Sequence, residues 1–140
     1  MKKLFLIFVF VISSFAFDWS GKVNWAMNYE SAKRIAQQTH KLIFVDVALS
    51  KCPPCHYLAT KVYTVPKVAD YINKNFVPVL IIYDQENTPT EVSNYFTGST
   101  PTLMFIKPNG ELEARFIGAR SPDDFYKLIK SIQDKYKAGK

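Results

Sequence analysis

Cysteine and histidine are both scarce in this chain, with two of each in 140 residues. Two cysteines exclude the multi-bridge framework that holds small secreted domains together, so Cys52 and Cys55 have only each other. Zinc held by Cys52, Cys55 and His56 lacks an obvious fourth ligand, because His40 is the only other histidine. There is no internal repeat, no low-complexity segment and no dense cluster of basic residues. The lysines are spread along the chain and read as a solubilising surface; no nucleic-acid-binding module is visible. The apolar run Leu4 to Ile12 falls well short of the roughly 20 residues that a membrane-crossing helix needs.

What is present describes one foldable domain: 48% hydrophobic, 15% aromatic and 21% charged residues. Lys2-Lys3, the apolar run and Ser14-Phe15-Ala16 form the charged, apolar and small-x-small parts of a secretory signal peptide. The expected organisation is therefore a leader over 1–16, cleaved after Ala16, and a single domain over 17–140. The destination is the periplasm or the exterior, where disulfides persist. An uncleaved membrane anchor is the alternative, because aromatic residues continue through Phe17 and Trp19. Without Lys2 and Lys3, sixteen basic residues face twelve acidic ones, a net charge of +4.

The pattern alternates helices and strands. A helix is expected over Asn28 to Thr39, capped by Asn28, with Ala32, Ile35 and Ala36 inward. Leu42 to Val47 reads as a buried strand, His56 to Val62 as a helix, and Pro66 to Asn75 as a helix opened by proline. Val77 to Tyr83 is a second strand, and Glu91 to Phe96 a short helix. Thr102 to Lys107 and Leu112 to Ile117 are strands joined by the turn Pro108-Asn109-Gly110. Ser121 caps a last helix from Pro122 that turns Phe125, Leu128, Ile129 and Ile132 inward. The fold class is α/β, a central mixed sheet with helices on both faces. Trp19 and Trp25 are expected to pack an N-terminal segment onto it, and Tyr57, Tyr63 and Phe105 to be core or rim aromatics.

The chemistry concentrates in Cys52-Pro53-Pro54-Cys55. Placed after a buried strand at a helix start, the first thiol meets free backbone N–H groups and the positive helix end, which stabilise its thiolate. Cys52 is then the exposed nucleophile, and Cys55, one turn on and more buried, resolves the mixed disulfide. Pro53 and Pro54 stiffen the loop and favour helix entry. A static structural disulfide is the plainer alternative, although so small a loop constrains little chain. With His56, the motif also fits c-type haem attachment. Against haem stand the strand-rich surroundings and the shortage of axial methionines, since Met27 and Met104 are the only ones after the leader.

Three features together resemble the thioredoxin family, over about Trp25 to Tyr136: the strand–Cys-Pro-Pro-Cys–helix unit, Asp46 six residues before Cys52, and Thr100-Pro101 before a strand. The resemblance implies a thioredoxin-like fold and a protein-disulfide oxidoreductase without a cofactor. It implies that Asp46 is buried and moves a proton for Cys55. It also implies that Pro101 is cis and faces the cysteines, with the backbone at Thr100 pairing with substrate. Lys51 departs from the family, which carries tryptophan there. It reads as a solvated loop residue or, if turned inward, as a cation favouring the Cys52 thiolate. Implied partners are proteins with disulfides or cysteine pairs, and a membrane electron donor, with net reduction the favoured direction. An oxidant, an isomerase or a non-catalytic binding module on the same fold are the alternatives.

Overall fold

The computed structural model describes residues 16–140. The signal-peptide expectation, apart from Ala16, therefore lies outside the described residues. Among these, no helix is long and apolar enough to cross a membrane. The elements are α1 (Tyr29–Thr39), β1 (Leu42–Ala48), α2 (Pro53–Tyr57), a π-helical turn (Leu58–Val62), α3 (Pro66–Asn75) and β2 (Phe76–Ile82). They continue as α4 (Thr90–Tyr95), β3 (Thr102–Ile106), β4 (Leu112–Ile117) and α5 (Pro122–Ala138).

The sheet runs β2-β1-β3-β4. β1 pairs in parallel with β2 and antiparallel with β3, and β3 pairs antiparallel with β4. All seven residues of β1 are buried, as an inner strand covered on both faces requires. Alternation along it divides the core. Leu42 and Phe44 pack with the π turn, α3 and α5, through Leu58, Val62, Ile72, Phe125 and Ile129. Ile43, Val45 and Val47 pack with Ala32 and Ala36 of α1 and Val92 of α4. Pro78 is tolerated because β2 is an edge strand, and its carbonyl accepts from the Ala26 N–H at 2.8 Å.

Local signals explain the helix starts. The Asn28 side chain accepts from the Ser31 N–H, and the Ser121 side chain from the Asp124 N–H. Two expectations need correction. Ile35 is 43% exposed, because α1 buries a narrower stripe through Tyr29, Ala32 and Ala36. The helix expected over His56 to Val62 is instead the end of α2 followed by the π turn, closed by the Tyr63 N–H donating to the Leu58 carbonyl at 2.8 Å.

Candidate active site

Cys52 follows β1 by four residues and is the N-cap of α2, with Pro53 and Pro54 in the first turn. The prolines cost nothing there, since first-turn N–H groups have no intrahelical partner. The two cysteines form a disulfide. Cys52 Sγ accepts from the Cys55 N–H at 3.3 Å and from the Thr100 hydroxyl at 3.4 Å. Both donors would favour a thiolate at this sulfur in the reduced protein.

Thr100 arrives from far along the chain. Pairing of Val47 with Thr102 sets the start of β3 beside the end of β1, and the Thr100–Pro101 peptide between them is cis. Pro53 and Pro54 are exposed, whereas Pro101 is buried. Lys51 is exposed, and its charge acts on Asp84, helping hold that carboxyl below its ordinary range after the larger effect of hydrogen bonds from Ser50.

The expectation of an exposed Cys52 is corrected: it is only 5% exposed, against 1% for Cys55. The cover comes from Trp19, Leu49 and Leu80, packed around Ala48, Cys52, Cys55 and Ile82. Trp19 and Phe17 belong to a segment ahead of α1 that lies across α2 as a strap. Phe17 stacks on the His56 ring at 4.1 Å between centroids, and Trp19 meets it edge-on at 5.0 Å. His56 Nε2 lies 2.8 Å from the Ser50 carbonyl, which can only accept, so this nitrogen carries the hydrogen. Ser50 is held in turn by Asp84, its N–H donating to Oδ1 at 2.8 Å. The loop before Cys52 is thus tied to both α2 and the turn after β2. Among the described residues, no group of three or more His, Cys, Asp or Glu is placed to hold a metal.

Asp46 is 1% exposed. It stands on the β1 face between Phe44, in the main core, and Ala48, which packs with the cysteines. Its register neighbours are Leu80 on β2 and Leu103 on β3. Oδ2 accepts the Tyr63 hydroxyl at 2.5 Å, and Oδ1 has no hydrogen-bond partner. Burial pushes the carboxyl up to about 7, against the opposing pull of the Tyr63 hydrogen bond. Burial, followed by the neighbouring Asp46 charge, holds the Tyr63 phenol well above its ordinary value.

The arrangement joins a disulfide at a helix start, donors aimed at the first sulfur and a carboxyl titrating near neutrality. Fold and site define a protein-disulfide oxidoreductase of thioredoxin type. The family model described as a thioredoxin-like domain matches residues 29–133, and the chain belongs to that family. Thioredoxin H3 of Arabidopsis thaliana is 26% identical over 113 residues, covering 81% of each chain. A solved structure titled a putative disulphide-isomerase from Bacteroides thetaiotaomicron is 29% identical, with a TM-score of 0.67 over 79% of this chain and 92% of its own. The structure titled DsbH Oxidoreductase shares the fold at a TM-score of 0.67 and 18% identity, over 83% of this chain and 88% of its own.

The sequence marks Tyr63 only as a core or rim aromatic, and no spacing in it joins Ser50 to Asp84. The Tyr63 hydroxyl is invisible to a hydrophobic pattern, and the Ser50–Asp84 pair spans 34 residues.

Proposed function

We propose that the protein is exported and reduces disulfides in extracytoplasmic proteins by cycling Cys52 and Cys55 between dithiol and disulfide. Cys52, as thiolate, attacks a substrate disulfide; a mixed disulfide forms and one substrate sulfur leaves with the electron pair. Asp46 takes the proton from Cys55, whose sulfur then attacks Cys52 Sγ and releases the second substrate thiolate. Two electrons pass to the substrate and the enzyme disulfide is left. A membrane-bound dithiol donor restores the reduced pair.

The observation that carries this reading is Asp46: a buried carboxyl, raised to about 7, on the face of β1 whose next residue, Ala48, packs with both cysteines. A base poised near the working pH suits deprotonation of the resolving thiol. The export proposal rests on Lys2-Lys3 and the apolar run behind them, as the leader over 1–16 of a domain over 17–140. Thr100, Pro101, Pro53 and Pro54 form the substrate-facing rim, with Lys51 at its outer edge. A second reading, an isomerase or oxidant using the same sulfurs, is favoured by the neighbour titled a putative disulphide-isomerase.

The deciding experiment is the equilibrium potential of the Cys52–Cys55 pair against glutathione, with Cys55→Ser as a substrate trap. The expected potential lies nearer the roughly −270 mV of thioredoxin than the roughly −120 mV of a strong periplasmic oxidant. Cys55→Ser should accumulate mixed disulfides and Cys52→Ser should not. A potential above about −150 mV would reverse the direction of electron flow.

A further inference from the structure

We propose that Tyr63 is the positioning residue for the buried carboxyl: by donating to Oδ2 of Asp46, it leaves Oδ1 as the atom that takes up and returns the proton. The inference rests on the proposed role of Asp46 and assigns the working atom within it.

Tyr63 and Asp46 are each 1% exposed, and the hydroxyl and carboxylate meet at 2.5 Å. Around Asp46, β2 offers Leu80 and β3 offers Leu103, and Phe44 and Ala48 flank it on its own strand. Of the titratable groups on the elements packed against this face, Tyr63 alone acts on Asp46 in the oxidised protein. His56, Tyr57 and Lys61 and the ionisable side chains of α3 and α5 are exposed or half-buried, and reduction adds the thiols of Cys55 and of Cys52, the N-cap of α2. Among the described residues Asp46 joins no ion pair. One oxygen is therefore satisfied by one donor and the other is bare.

Protonation of Oδ1 leaves the Tyr63 hydrogen bond in place. Protonation of Oδ2 would turn it into a carboxyl hydroxyl, a much poorer acceptor for the buried Tyr63 hydroxyl, at the cost of most of that hydrogen bond. The two protonation states are chemically alike but unequal in hydrogen bonding, and the difference selects Oδ1. When Cys55 is deprotonated, its proton moves to Oδ1, the Cys55–Cys52 bond forms as the mixed disulfide breaks, and the proton then leaves to solvent.

The placement of the hydroxyl is fixed by features with no polar purpose of their own. The π turn adds a residue to the helical ladder just before Tyr63, rotating the chain relative to an α-helical continuation by about 100°. The strap clamps the same residue: the Lys22 N–H donates to the Tyr63 carbonyl at 2.8 Å. Gly21 presses so closely that an added Cβ would lie 2.7 Å from Tyr63 backbone atoms. The ring meets Trp25 and Phe125 edge-on at 5.2 and 5.8 Å. Phenylalanine would fill that aromatic site equally well; what tyrosine adds is a buried hydroxyl whose hydrogen bond goes to Asp46.

Two readouts test this on the full domain. The first is the pH profile of disulfide reduction for wild type, Tyr63→Phe, Asp46→Asn and the double variant. The Tyr63 hydrogen bond is stronger to the carboxylate than to the neutral acid, so its loss should move the rising limb of Tyr63→Phe up by about half to one pH unit. Asp46→Asn should abolish that limb, and the double variant should match Asp46→Asn. The second is the infrared C=O stretch of protonated Asp46 in the oxidised protein. With the proton on Oδ1 the carbonyl oxygen is Oδ2, so Tyr63→Phe should shift this band to higher wavenumber without any turnover. A band and limb unmoved in Tyr63→Phe, with the limb lost in Asp46→Asn, overturn the role of Tyr63 alone. A limb that survives in Asp46→Asn overturns the reading of Asp46, and the inference with it.

Discussion

A single carboxyl sets the balance between stability and chemistry in this domain. Asp46 keeps its proton in the folded protein up to about 7, against an ordinary aspartate value of 3.8. Between those values the unfolded chain has already released the proton that the folded chain retains. Folding stability therefore falls as pH rises across that window and levels off above it. Asp46→Asn removes the titration, so the variant should match wild type near pH 4 and exceed it at pH 8 by a few kcal/mol, at about 1.4 kcal/mol per pKa unit. Urea unfolding at the two pH values measures this; a constant difference between the proteins would show that Asp46 titrates normally. That a carboxyl would be buried here was legible from its apolar neighbours and the family resemblance. Its partner was not, because nothing in the spacing of Asp46 and Tyr63, seventeen residues apart, marks a hydrogen bond.

At the scale of elements, capping and periodicity carried most of the information. Pro66 to Asn75 and Leu112 to Ile117 have the expected bounds, and the other strands shift by a residue or so at their ends. Side-chain patterns report which face is buried, whereas the π turn is a change in backbone hydrogen bonding that Leu58 to Val62 does not advertise. The strap was legible only as two tryptophans packing somewhere on the domain. Its tightest point is Gly21, whose φ of +54° and contact with Tyr63 both exclude a side chain. Gly21→Ala should destabilise by about 1–3 kcal/mol from backbone strain alone, and more if Tyr63 is displaced. Thermal unfolding should record a fall of several degrees for a domain of this size. An unchanged midpoint would mean that the strap lifts off without cost to the fold.

For the molecule as a whole, sheet order brings together what the chain keeps apart. β1 and β3 are adjacent, so the loop after one and the residues before the other share an edge, and Thr100 reaches a sulfur 48 positions away. No local pattern contains that proximity. It was readable through the family resemblance, which depends on the order of three separated motifs. The N-terminal strap then closes over the same edge, placing Trp19 against the cluster that holds the disulfide.

That contact gives the molecule an optical gauge of its own chemistry. An excited indole loses its energy to an adjacent disulfide by electron transfer, and a dithiol accepts that electron far less readily. In a Trp25→Phe background, Trp19 is the one remaining tryptophan. Its emission should brighten on reduction and trace the same midpoint as thiol alkylation in a graded redox buffer. Emission that stays flat while both thiols become alkylatable would place Trp19 away from the sulfurs in solution. If it brightens, turnover on a disulfide substrate can be followed in real time by light from the protein itself, with no added dye.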